Sequence, residues 1–151
     1  MSEVRRLDVE RVVRFYETLS PESLVHIGKV YAPDARFKDP FNDVQGLAAI
    51  EAVFRHMFRQ VQEPRFCVTS RLAVGHDAWL EWEFHFRFRR WRETEIQLVR
   101  GATRLELSPE GHVLVHRDYW DTGEELFARL PVMGALVRFL QRRLSASGPK
   151  G

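Results

Sequence analysis

Residues 80–88 read Leu80-Glu81-Trp82-Glu83-Phe84-His85-Phe86-Arg87-Phe88, an unbroken alternation of apolar and polar side chains. On an extended strand successive side chains point to opposite faces, so this run demands a β-strand with one apolar and one charged face. The apolar face must be the inner one, covered by other parts of the chain. The same period-two habit extends over roughly 66–74, 78–91, 94–107 and 112–121, separated by Gly75-His76-Asp77, a turn near Arg92-Glu93, and Ser108-Pro109-Glu110-Gly111. Those breaks carry turn chemistry, which predicts consecutive antiparallel hairpins.

Before residue 66 the period is helical. Val9, Val12, Val13, Tyr16 and Leu19 recur at helix spacing after Asp8, and Pro21 stops the run. Ser20-Pro21-Glu22-Ser23 suits the start of a second helix carrying Leu24, Ile27 and Tyr31. Ala35-Arg36-Phe37-Lys38-Asp39 alternates and then meets Pro40, a short strand closed by a turn in which Phe37 and Asp39 share a face. Ile50, Val53, Phe54, Met57, Phe58 and Val61 form the stripe of a third helix ending near Pro64. Helices followed by a long meander define an α+β class, with the helices packed on one face of the sheet. After Thr122 a further stripe, Val132, Leu136, Phe139, Leu140 and Leu144, predicts a C-terminal helix. The expected organisation is one domain over residues 1–144 and a frayed tail over 145–151.

With 151 residues the chain can bury a core without a disulfide or metal staple. The 23 Lys and Arg against 21 Asp and Glu leave a formal charge of +2, which requires no polyanionic partner. Cys67, the single cysteine, lies in the apolar run Phe66-Cys67-Val68 and is expected to be a small core residue. No stretch reaches the roughly 18 apolar residues of a membrane span, and the first residues carry no apolar leader, so a cytoplasmic protein without integral membrane association is expected. Phe86-Arg87-Phe88-Arg89-Arg90-Trp91-Arg92 interleaves aromatics with cations, but alternation puts the two on opposite faces, which argues against a nucleic-acid platform. His26, His56, His76, His85 and His112 are dispersed, and no close His-x-His or Glu-x-x-His pair predicts a metal. No organic cofactor motif is present.

The candidate chemistry lies near both ends of the alternating region. In 112–121 both faces are mixed, His112, Leu114, His116, Asp118 and Trp120 against Val113, Val115, Arg117, Tyr119 and Asp121, so alternation alone does not orient the strand. With the first set inward, His116 and Asp118 enter an apolar interior, either as an acid/base pair or as a polar patch satisfied by water or Tyr16. Asp39 is either a general base among apolar neighbours or a strand-end carboxylate bonding turn amides. Thr103 is the polar exception on the inner face that Gly101, Leu105 and Leu107 define.

Phe15-Tyr16-Glu17, the segment from Tyr31 to Phe41, and His116-Arg117-Asp118-Tyr119-Trp120-Asp121 together resemble the nuclear-transport-factor-2-like superfamily, which includes SnoaL-like proteins and ketosteroid isomerases. The resemblance spans about residues 8–121. It implies a cone-shaped α+β domain, with three N-terminal helices on a strongly curved antiparallel sheet, and homodimerisation through the outer sheet face by way of Glu81, Glu83, Arg87, Arg104 and Arg117. In ketosteroid isomerases an aspartate at the Asp39 position moves the proton and a tyrosine at the Tyr16 position donates to the enolate oxygen. Where those enzymes carry a protonated aspartic acid, this chain has Thr103. The last strand is also similar to limonene epoxide hydrolases, in which an aspartate at the Asp118 position helps to activate water, but the arginine and second carboxylate they need are replaced here by Leu80, Trp82 and Phe84. The resemblance turns His116, Asp118 and Trp120 inward. The expected function is a pocket for a small hydrophobic carbonyl or hydroxyl compound. Asp39, Asp118, His116 and Tyr16 are the candidate acid/base groups. Thr103, Trp120, Trp82, Phe84, Leu80, Phe54 and Met57 would contact the ligand. The competing expectations are a non-catalytic ligand-binding or dimerisation module, and an epoxide hydrolase.

Overall fold

The computed structural model describes residues 3–90 and 93–121. The chain divides into two compact units, Met1–Tyr119 and Trp120–Gly151, and of the second only Trp120 and Asp121 are described. The expected C-terminal helix and tail therefore lie outside the described residues.

The first apolar stripe forms helix α1 (Glu3–Glu17), whose Val9, Val12, Val13 and Tyr16 are buried. Ser20 and Ser23 then exchange hydrogen bonds, Ser20 N–H to Ser23 Oγ at 2.9 Å and Ser23 N–H to Ser20 Oγ at 3.1 Å. They precede a 3-10 helix, Ser23–Lys29. The expected second helix is thus shorter and tighter than read, and Tyr31 opens strand β1 (Tyr31–Lys38) instead of closing a helix. A short β2 (Asp43–Gln45) leads into helix α2 (Leu47–Gln60), which buries Ile50 and Phe54. The meander follows as β3 (Val61–Val74), β4 (Asp77–Phe88), β5 (Gln97–Leu107) and β6 (Val113–Tyr119).

Pro64 does not separate helix from strand. It lies inside β3, where the register with β4 slips between Gln62 and Arg65 and Glu63 takes a φ of 49°. A bulge tolerates proline because the missing N–H is not needed in the ladder, and β3 is also one of the sheet's two edge strands.

The six strands form one sheet in the order β2-β1-β6-β5-β4-β3. Hairpin neighbours are antiparallel, but β1 runs parallel to β6. The sheet is therefore mixed, not antiparallel throughout. A parallel pair needs a long crossover, supplied here by everything between β1 and β6, and local periodicity carries no information about such a pairing.

The inner face of β4 and β5 follows the alternation: Ala78, Leu80, Trp82 and Phe86, then Gln97, Val99, Thr103, Leu105 and Leu107, are all buried. Each large apolar side chain enclosed in this way contributes about 1.5–3 kcal/mol. Cys67, expected in the core, is exposed. Phe66 and Val68 turn toward the interior and leave the residue between them on the outer face. Among the described residues no helix is long and apolar enough to cross a membrane.

Candidate functional site

β6 resisted orientation by pattern because it breaks its own period. Its register with β5 slips between Glu106 and Leu107, whose partners are Val115 and Val113. The bulge lets Val113 and His116 both face inward, with Val113 wholly buried and Leu114 only half-buried. Beyond it, His116 and Asp118 point to the interior while Arg117 and Tyr119 are exposed.

A chain of hydrogen bonds runs across the inner face at this point. Trp82 Nε1–H on β4 donates to Thr103 Oγ1 on β5 at 2.8 Å. Having accepted that proton, Thr103 donates its own to Asp118 Oδ1, its register partner on β6. His116 Nε2 lies 2.8 Å from the same Oδ1. On the far side of the imidazole, Nδ1 is 2.7 Å from the Tyr16 hydroxyl of α1 and 2.8 Å from the Tyr31 hydroxyl of β1, and the two hydroxyls are 2.5 Å apart. With Asp118 as a carboxylate, which only accepts, the His116 contact is an Nε2–H donated to Oδ1, and this leaves Nδ1 facing the two tyrosines. Phe37 lies against the imidazole at 4.4 Å between ring centroids.

The tyrosines are held as donors. Burial pushes the Tyr16 hydroxyl well above its ordinary value and the nearby Asp118 charge adds to the rise, opposed by the hydrogen bond from Tyr31. Tyr31 is raised by burial first and then by its proximity to Tyr16 and Asp118.

These groups form the polar end of a cavity lined by Tyr16, Phe37, Phe54, Phe66, Val68, Leu80, Trp82, Thr103, His116 and Asp118. The cavity offers about 30 Å3 of room in which a water-sized body can move. That suffices for water, which needs at least about 10–15 Å3, and falls far below the roughly 300–1,000 Å3 of drug-sized sites. Among the described residues, the hydrogen bonds to the Asp118 carboxylate both fall on Oδ1 and none on Oδ2.

Of the residues singled out from sequence, Tyr16, His116, Asp118, Thr103, Trp82, Leu80 and Phe54 meet around this space. Asp39 is not among the lining residues. Its Oδ1 accepts from the N–H groups of Phe41 at 2.8 Å and Asn42 at 2.6 Å, and Asn42 Nδ2 donates to both carboxylate oxygens at 3.0 Å. This is the turn-binding role of an aspartate before proline. Phe84 packs on Phe66 at 4.3 Å and on Phe86 at 4.9 Å and does not border the cavity, nor does Met57, which is half-buried on α2. Trp120 opens the second unit. Sequence reasoning missed Tyr31, Phe37, Phe66 and Val68 as parts of the site. The spacing of Phe66 and Val68 was sufficient signal for those two, whereas Tyr31 was concealed by its apparent helical period.

Among the described residues that line the cavity, Asp118 is the one carboxylate and none is an arginine. Among the described residues no cluster of three or more His, Cys, Asp or Glu side chains could hold a metal ion.

The model of the SnoaL-like domain matches residues 12–116, and the chain belongs to that family. No curated protein matches the sequence. Solved structures share the fold at low identity. A ketosteroid-isomerase-like protein from Catenulispora acidiphila, crystallised with trimethylamine, is 17% identical, with a TM-score of 0.69 over 82% of this chain and 93% of its own. A candidate SnoaL-like polyketide cyclase from a Jannaschia species is 16% identical, with a TM-score of 0.65 over 80% of this chain and 90% of its own. A candidate isomerase of the SnoaL-like family from Agrobacterium tumefaciens is 15% identical, with a TM-score of 0.64 over 80% and 99%.

Proposed function

We propose that the protein binds a small carbonyl compound in this cavity and moves a proton on it, with Asp118 as base. The observation that carries the reading is the continuous hydrogen-bonded chain from Trp82 through Thr103, Asp118 and His116 to Tyr16, set in an otherwise apolar wall. Asp118 Oδ2 takes a proton from the carbon next to the carbonyl, the electron pair moves to the carbonyl oxygen, and the Tyr16 O–H hydrogen-bonds the resulting enolate. Return of the proton from Asp118 to carbon completes an isomerisation or exchange, with no atom gained or lost. His116 and Thr103 hold the carboxylate in place, and Phe54, Leu80 and Trp82 exclude water around the reacting carbon. The small cavity favours a compact ligand, in keeping with the trimethylamine held by the Catenulispora relative.

The test is incubation of the protein with cyclopentanone in D2O, followed by proton NMR. The native protein should remove the α-proton signal faster than buffer, and His116→Gln should slow that loss. Saturable binding without acceleration would replace this reading with a non-catalytic ligand-binding module.

A second copy of the chain is the partner that best fits the outer sheet face. Trp79 and Tyr119 are exposed there and stack at 5.8 Å, with the Arg117 guanidinium 4.9 Å over the Tyr119 ring. Arg104 pairs with Asp77, Arg100 with Glu83 and Arg87 with Glu63 inside one chain, so the aromatics rather than these charges would carry the contact. Sedimentation should give a dimer that Trp79→Asp converts to monomer; an unchanged mass would remove this face from consideration.

A further inference from the structure

We infer that the charge on His116 selects the class of ligand the cavity accepts: a hydrogen-bond acceptor when the ring is an imidazolium, a hydrogen-bond donor when it is neutral. The inference rests on the reading of this cavity as a ligand site and follows from a count of protons. Nε2–H is committed to Asp118 Oδ1, which leaves three polar atoms in mutual contact, His116 Nδ1 and the hydroxyl oxygens of Tyr16 and Tyr31, 2.5 to 2.8 Å apart. Contacts this short between lone-pair atoms each require an intervening proton.

With a neutral imidazole, two phenolic protons must serve three contacts. Both are drawn inward, and Tyr16 shows the cavity a lone pair. With an imidazolium, Nδ1–H is shared between both phenolic oxygens. Tyr31 is completely buried, does not border the cavity and, among the described residues, has no acceptor outside this triangle, so its proton goes to the Tyr16 oxygen. The Tyr16 proton is then the one left over, and Tyr16 borders the cavity. Accepting two hydrogen bonds also polarises that hydroxyl and makes it a better donor. Tyr31, read from the sequence as a helix position and not as a site residue, is thus a positioning residue that fixes which phenol donates outward.

Among the described residues, the groups facing His116 are Tyr16 from α1, Tyr31 and Phe37 from β1, Leu105 opposite it on β5, and Asp118 on its own strand. Asp118 is the one carboxyl group in that set, and it accepts from Thr103 on the side away from Nδ1. The change in ligand class therefore follows the proton on Nδ1.

Two rings of similar size separate the roles: cyclopentanone, which only accepts, and pyrrole, whose N–H only donates. Their affinities for the intact protein are measured by NMR titration from about pH 5 to pH 8, the interval in which histidine changes charge, with the His116 ring nitrogens followed by 15N shift. Cyclopentanone should weaken by roughly fivefold to tenfold as His116 loses its proton, and pyrrole should strengthen by a similar factor, the change expected of one net hydrogen bond. Tyr16→Phe should flatten both curves, and Tyr31→Phe should reduce the preference for cyclopentanone at low pH. Parallel curves for the two probes, no binding of either, or persistence of the crossing in Tyr16→Phe would overturn the inference. Proton exchange on cyclopentanone with uncrossed curves would remove only this inference, while crossing curves without exchange would remove only the catalytic reading.

Discussion

Asp39 and Asp118 share a chemical type and differ entirely in what surrounds them. Asp39 binds turn amides, whereas Asp118 borders the cavity and has Thr103 and His116 on one oxygen. Asp39→Ala should therefore cost about 0.5–2 kcal/mol of stability, as for loss of a capping carboxylate, read as a shift of the urea midpoint at unchanged m-value. Trp82→Phe tests the other end of the chain. It removes the hydrogen bond that Thr103 accepts while keeping most of the apolar wall and the Thr103 donation to Asp118, and should destabilise by about 0.5–1.5 kcal/mol, the net worth of one hydrogen bond. A Trp82→Phe protein as stable as the native one would mean that the Thr103 hydroxyl finds another donor, such as water.

At the scale of elements, the packing of α1 on the β5–β6 turn depends on one glycine. Gly111 has a φ of 87°, and a Cβ built there would stand 2.3 Å from Asp8 Oδ1, on a carboxylate flanked by Arg5 and Arg11. Gly111→Ala should cost at least about 1–3 kcal/mol from backbone conformation alone, with more from the clash. The double variant with Asp8→Ala should recover the clash part, and strict additivity of the two changes would show that the contact carries no energy. The meander was legible because β4 and β5 alternate without interruption, and Thr103 could be placed inside on that ground alone. The strands at 35–39 and 112–121 were read correctly, but the facing of β6 was illegible because its bulge puts Val113 and His116 on one face, and the start of β1 because Tyr31 mimicked a helical position. The parallel β1–β6 pairing, a contact between segments far apart in sequence, leaves no local pattern. Asp39 was readable in both of its roles, and only the observed turn geometry separates them.

For the molecule as a whole, the buried phenols predict how stability responds to alkali. Tyr16 and Tyr31 are held protonated well above the ordinary tyrosine value of 10.0. Their contribution is fully present below that pH and is lost as pH rises above it, because the unfolded chain then releases protons that the folded one keeps. Stability should fall above pH 10 by up to about 1.4 kcal/mol per pH unit for each phenol, and Tyr31→Phe should make the slope shallower. A slope identical in Tyr31→Phe would mean that the two hydroxyls are not buried together. The proposed chemistry belongs to the His116–Asp118 end of the cavity and not to the Asp39 turn. Deuterium uptake by cyclopentanone, compared in Asp118→Asn and Asp39→Asn, tests it most directly. The account predicts a loss of about 10²- to 10⁴-fold in Asp118→Asn, the range for a general base, and a native rate in Asp39→Asn; the reverse result would contradict it.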